Sequence, residues 1–97
     1  MKPAEFHPAP DAEFAKAKEF YNSKVPGLGD EFYFLVVAGI RDIRLAPQRF
    51  SPYHHNTRRF RLERFPYLIV YRESETNILI VAIAHGSRRS GYWANRI

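Results

Sequence analysis

The run Ile78-Leu79-Ile80-Val81-Ala82-Ile83-Ala84 is apolar without a break. A strand with one wet face alternates apolar and polar residues, whereas an unbroken apolar run of strand length reads as a strand buried on both faces. It is far too short for the roughly 20 residues that cross a bilayer, and no other apolar run in the chain approaches that length, so no membrane span is predicted. The run instead predicts a central strand, covered on one side by helices, around which the rest of the chain must be arranged. A chain of 97 residues has room for one such core, so a single domain spanning 1–97 is expected.

The residues before and after the run supply the remaining layers. Ala4 to His7 reads as a short first strand, and Pro8 and Pro10 fit the start of a helix better than a longer strand. A helix is predicted from Asp11, with Phe14, Ala17 and Tyr21 on one face, ending near Lys24 before the punctuation Val25-Pro26-Gly27. Phe32, Leu35, Val36, Gly39, Ile40 and Ile43 then recur at steps of three and four, predicting a second helix capped by Asp30 or a neighbour and stopped by Pro47. Pro52, His54, His55 and Asn56 read as a polar surface connection.

Past Asn56 the period becomes two. Phe60 and Leu62 alternate with Arg59, Arg61 and Glu63, which predicts a strand with its arginines on one face. Phe65-Pro66 makes a turn, Tyr67 to Arg72 is a second strand, and Ser74 to Asn77 has the length and composition of a hairpin connection into the apolar run. The order is β-α-α-β-β-β, an α+β fold with a helical hairpin packed on a small antiparallel sheet.

Charge divides the chain unevenly. Up to Gln48 there are six basic and seven acidic residues; from Arg49 onward there are nine basic and three acidic, and all nine are arginine. The planar guanidinium fork suits phosphate and carboxylate, so nucleic acid or an acidic protein is the natural partner class. With 45% hydrophobic residues the chain is far from the composition of a disordered tail. There is no cysteine, hence no disulfide and no thiolate metal site. Met1 to Pro10 lacks the apolar segment of a secretory signal, so a cytoplasmic location is expected.

Two blocks stand out in order: Phe65-Pro66-Tyr67 with Val70-Tyr71, then His85, Arg88, Tyr92-Trp93 and Arg96 after the apolar run. Together with Tyr21 near the first helix end, Pro26 to Gly29, and the spacing of Ile43 and Pro47, they resemble the RelE/ParE family of toxins from type II toxin-antitoxin systems, also described as plasmid stabilisation proteins. The resemblance implies a growth-inhibiting toxin neutralised by a cognate antitoxin, whose flexible segment covers the basic surface. No cofactor and no metal are implied.

Two activities occur on this fold, and fold alone does not choose between them. ParE-like members poison DNA gyrase, and RelE-like members cleave messenger RNA on the ribosome. In the nuclease reading Arg59, Arg61 and Arg88 match basic positions of the family site, Tyr92 or Trp93 matches its C-terminal aromatic residue, and His85 is the available general base. One match fails. The strand beginning at Tyr67 carries Leu68 where RelE-like nucleases have an arginine, and leucine neither binds phosphate nor moves a proton. The sequence therefore favours a gyrase-directed, non-enzymatic toxin, with a ribosome-dependent, metal-independent endoribonuclease as one alternative and an inactive antitoxin-binding module as another. The expected contact residues for target or antitoxin are Arg59, Arg61, Arg64, Arg88, Arg89, Tyr92 and Arg96. Trp93 is expected to be structural, His85 to hydrogen-bond locally, His54 and His55 to serve their loop, and Arg41, Arg44, Arg58 and Arg72, with Arg64 where it makes no contact, to solvate exposed faces.

Overall fold

The computed structural model describes residues 1–97. A short strand β1 (Ala4–Phe6) leads into helices α1 (Pro8–Lys24) and α2 (Leu28–Leu45), followed by β2 (Ser51–Tyr53), β3 (Thr57–Arg61), β4 (Tyr67–Glu73) and β5 (Ile78–His85). The sheet order is β1-β5-β4-β3-β2. The α+β architecture with its helical hairpin is as the sequence predicts, with two additions. A fifth strand, Ser51–Tyr53, lies inside the expected polar connection and pairs with β3 at the sheet edge. The sheet is mixed, because β1 docks parallel to β5 while every other pair is antiparallel. The helical hairpin and three strands separate β1 from β5 in the chain, so no tight turn obliges the pair to run antiparallel.

The helix starts differ from the sequence expectation. α1 begins three residues before Asp11, with Pro8 in its first turn and the His7 Nδ1 accepting from the Ala9 amide at 3.1 Å. At α2 the cap position is Gly27, held at φ +88°, and Asp30 sits in the first turn. The capping acceptor comes from the neighbouring helix, as Asn22 Oδ1 accepts from the Gly29 amide at 2.7 Å. The close approach is set by Gly29 itself. A Cβ there would lie 2.1 Å from the Lys18 carbonyl oxygen.

β5 is interior, paired by β1 on one side and β4 on the other. A bulge interrupts its register: Val70 faces Ala82 but Tyr71 faces Ile80, leaving Val81 unmatched. The extra residue shifts the alternation, so that Ile78, Ile80 and Ile83 join Phe32, Val36 and Ile43 beneath the helices. Val81, Ala82 and Ala84 face the other way, against Val70 and Trp93. The unbroken apolar run is thus buried on both faces, one covered by helices and the other by the C-terminal tail.

Candidate functional site

The tail is placed by one buried aromatic residue and one ion pair. Trp93 is 1% exposed and fills the second face of the sheet. Its ring lies 5.8 Å from Tyr53 and from His55. Arg96 forms a fork to Glu13 of α1, with Nη1 donating to Oε1 and Nη2 to Oε2, each at 3.0 Å, while Nη1 also donates to the Val81 carbonyl at 2.9 Å. The Glu13 carboxylate further accepts from the Tyr92 hydroxyl at 2.6 Å and the Ile83 amide at 3.1 Å. β1 is paired only as far as Ile80, so Glu13 and Arg96 supply side-chain partners to the edge of β5 where the strand ladder has stopped. Burial pushes the Glu13 carboxyl up, but hydrogen bonds from Arg96, Tyr92 and the Ile83 amide outweigh it and hold it below the ordinary range. The Tyr92 hydroxyl is raised by burial and by donating to that carboxylate. Glu13 was not among the sequence candidates.

The arginines sort by what they touch. Arg58 donates to the Phe50 carbonyl, Arg72 to the carbonyls of His55 and Asn56, and Arg44 to that of Lys2, so these three fix backbone instead of only solvating a face. Arg64 pairs with Glu31 at 2.5 Å and Arg96 with Glu13. None of the ion pairs of the fold involves Arg49, Arg59, Arg61, Arg88 or Arg89. Arg59 and Arg61 are both exposed on the alternating strand β3, on the face opposite Phe60, as their spacing predicts. The Arg59 guanidinium lies 4.9 Å from the centre of the Tyr53 ring. Leu68 of β4 is the direct partner of Arg61 across the strands, and Arg49, Arg59, Arg61 and Leu68 line one hollow of about 360 Å³. Arg88, beyond β5, lies 3.9 Å over the Tyr92 ring. Arg49 and Tyr53 therefore join the arginine face although sequence reasoning left them out.

His85 hydrogen-bonds locally. Its Nδ1 accepts from the Ser87 amide at 3.0 Å, with the Ser87 hydroxyl 2.8 Å away. Because a backbone N–H only donates, the acceptor lone pair is committed and the proton of the neutral ring sits on Nε2. In this arrangement His85 presents a donor and not a base. His54 Nε2 lies 2.8 Å from the Ser90 hydroxyl, which is also 2.9 Å from the Tyr53 hydroxyl, so the loop histidine ties β2 to the tail. No three His, Asp or Glu side chains converge as a metal-ligand group, and no helix is long and apolar enough to cross a membrane.

Comparison with known proteins agrees with this architecture. No curated protein matches the chain at a significant level. Among solved structures, a chain described as the chromosomal ParDE TA system from P. aeruginosa superposes with a TM-score of 0.77 at 16% identity, covering 88% of this chain and 96% of that one. At that identity the match establishes the fold. The family model described as the ParE toxin of type II toxin-antitoxin systems, parDE, matches residues 4–90, from the first strand to the tail. The chain therefore belongs to the ParE toxin family of type II toxin-antitoxin systems.

Proposed function

We propose that this chain arrests growth by binding DNA gyrase through its unpaired arginines, and that a cognate antitoxin holds it inactive by covering the same surface. The observation that supports this most directly is the pairing of Arg61 with Leu68: cations able to grip an acidic surface stand beside an apolar residue, with no acid or base between them. Cleavage of RNA needs a base for the 2′-hydroxyl and an acid for the leaving oxygen. The hollow offers neither and is lined by no histidine, and His85, in a different hollow, has its acceptor nitrogen occupied. Binding needs only exposed, unneutralised charge with stiff aromatic support, which Arg59 on Tyr53 and Arg88 on Tyr92 provide. The proposed contact surface is Arg59, Arg61, Arg88 and Arg89. Arg64, Tyr92 and Arg96 have partners within the chain and shape that surface more than they present it.

The test is induced expression with plasmid supercoiling and translation followed in the same culture. Loss of supercoiling before translation falls is the expected result. Arrest of translation with supercoiling unchanged would assign the chain to the ribonuclease alternative, and growth without effect would leave an antitoxin-binding module. Co-expression with a small acidic protein encoded beside it should restore growth through a stable complex.

A further inference from the structure

Helix α2 is seated on the sheet by Phe32, Val36, Gly39 and Ile43. The stripe on its opposite side should then be polar, yet it reads Asp30, Phe34, Val37, Arg41 and Leu45. These five exposed residues are spaced by four, three, four and four, so they share one narrow arc of the helix. Phe34 is 71% exposed, Leu45 61% and Val37 46%. An acid stands four residues before Phe34 and a base four residues after Val37, so the charges bracket the apolar pair at equal spacing and with opposite sign. Arg41 belongs to no ion pair. Asp30 is met within the chain only by Asn22 at 3.3 Å and Lys18 at 3.8 Å, with its side chain 70% exposed.

We propose that this face receives a second copy of the chain, α2 packing antiparallel on α2 about a two-fold axis that passes between Leu35 and Val36. Charge complementarity selects the occupant. Under that axis Phe34 of each copy meets the partner's Val37, and Asp30 of each meets the partner's Arg41, so one operation matches both pairs and forms each of them twice. Parallel packing would set Asp30 on Asp30 and Arg41 on Arg41 and is rejected. The antiparallel order also lays the positive N-terminal end of each helix beside the negative C-terminal end of the other. It carries Leu45 past the start of the partner's α2, toward the turn where Val25 is 54% exposed. A segment of uniform charge fits the face poorly, since each sign on it is answered by the opposite sign about three turns away. Phe60, opposite Arg59 and Arg61 on β3, packs against the core beneath the helices. Both arginine faces of the dimer therefore stay open, and the inference stands independently of the gyrase reading.

The experiment is sedimentation velocity over a concentration series of the full-length chain, purified free of any other protein. One helix face is smaller than a standard interface, so a monomer–dimer equilibrium with a Kd on the order of 10 μM is expected. Arg41→Glu and Phe34→Ala should each weaken it by about tenfold or more, with melting temperatures within a few degrees of the natural chain because both side chains are exposed. Asp30→Lys should weaken it likewise, and the exchange Asp30→Lys/Arg41→Glu should return the affinity to within about threefold of the natural value. Raised salt should weaken the natural dimer. A chain that stays monomeric up to about 500 μM overturns the proposal, as does a dimer that Arg41→Glu and Phe34→Ala leave unchanged, or a folded charge exchange that fails to restore association. A monomeric chain whose α2 variants lose a complex with a co-expressed second protein would assign the face to that protein instead.

Discussion

The Arg96 guanidinium clasps the Glu13 carboxylate through two hydrogen bonds of 3.0 Å, joining the last turn of the chain to its first helix across 83 residues of sequence. Both side chains are less than a fifth exposed. Removing one partner of such a pair strands the other charge, so Glu13→Ala and Arg96→Ala should each destabilise by about 2–4 kcal/mol. The double variant should fall well short of the sum. Thermal melts of the four proteins give the coupling, and additive losses would show that the pair is not a unit.

The same clasp makes the tail sensitive to acid. The folded-state pKa of Glu13 lies below its ordinary value of 4.5, so its contribution is fully present above that value and is lost as pH falls through the lower folded value. The stability gap between the natural chain and Glu13→Gln should therefore be constant near neutrality and shrink below about pH 4.5. Glu73 is also held below its ordinary value, chiefly by its hydrogen bond from Lys2, and its effect cancels in the difference. A gap that does not change between pH 7 and acid would rule out the assignment.

Trp93→Ala should unfold the protein or prevent its accumulation. Truncation of a packed aromatic costs about 3–5 kcal/mol, a large share of the stability of a small domain. The exposed Arg88 and Arg89 have little core to lose, so alanine at both should change stability by less than about half a kcal/mol each while weakening toxicity. Melting curves with growth measurements separate the two cases.

Gly29→Ala inverts the usual preference of a helix for alanine, worth about 1 kcal/mol. The added Cβ would lie 2.1 Å from the Lys18 carbonyl oxygen, a backbone atom that cannot step aside. The helices must separate, which should lower the melting temperature by several degrees. An unchanged or higher melting temperature would mean that the hairpin is looser than its geometry implies.

What the sequence discloses depends on how local the cause is. The stripe from Phe32 to Ile43, the alternation of Arg59, Phe60 and Arg61, and the apolar run of β5 each arise from period and solvent exposure within a few residues, and each is legible. β2 is not. Ser51-Pro52-Tyr53 carries a proline and pairs on one side only, a combination that an edge strand tolerates but that reads as a loop. Nor is the cap of α2, since Asn22 lies on the preceding helix and no local spacing connects it to Gly29. Glu13 left one faint signal, a carboxylate four residues before the buried Ala17. Its partner lies at the opposite end of the chain, beyond the reach of any local pattern. The arginine count is plain in the sequence, but only the fold separates Arg58, Arg64, Arg72 and Arg96, whose side chains bond within the chain, from Arg49, Arg59, Arg61, Arg88 and Arg89, which belong to no ion pair and fix no backbone carbonyl.

The most direct test of that separation is growth of cells expressing Arg59→Ala/Arg61→Ala beside cells expressing the natural chain at equal protein level, with melting temperatures of both purified proteins. Neither arginine has an ionic partner to lose, so the melting temperatures should agree within a few degrees. The account predicts that the double variant no longer arrests growth. Undiminished growth arrest by a variant as stable as the natural chain would contradict it.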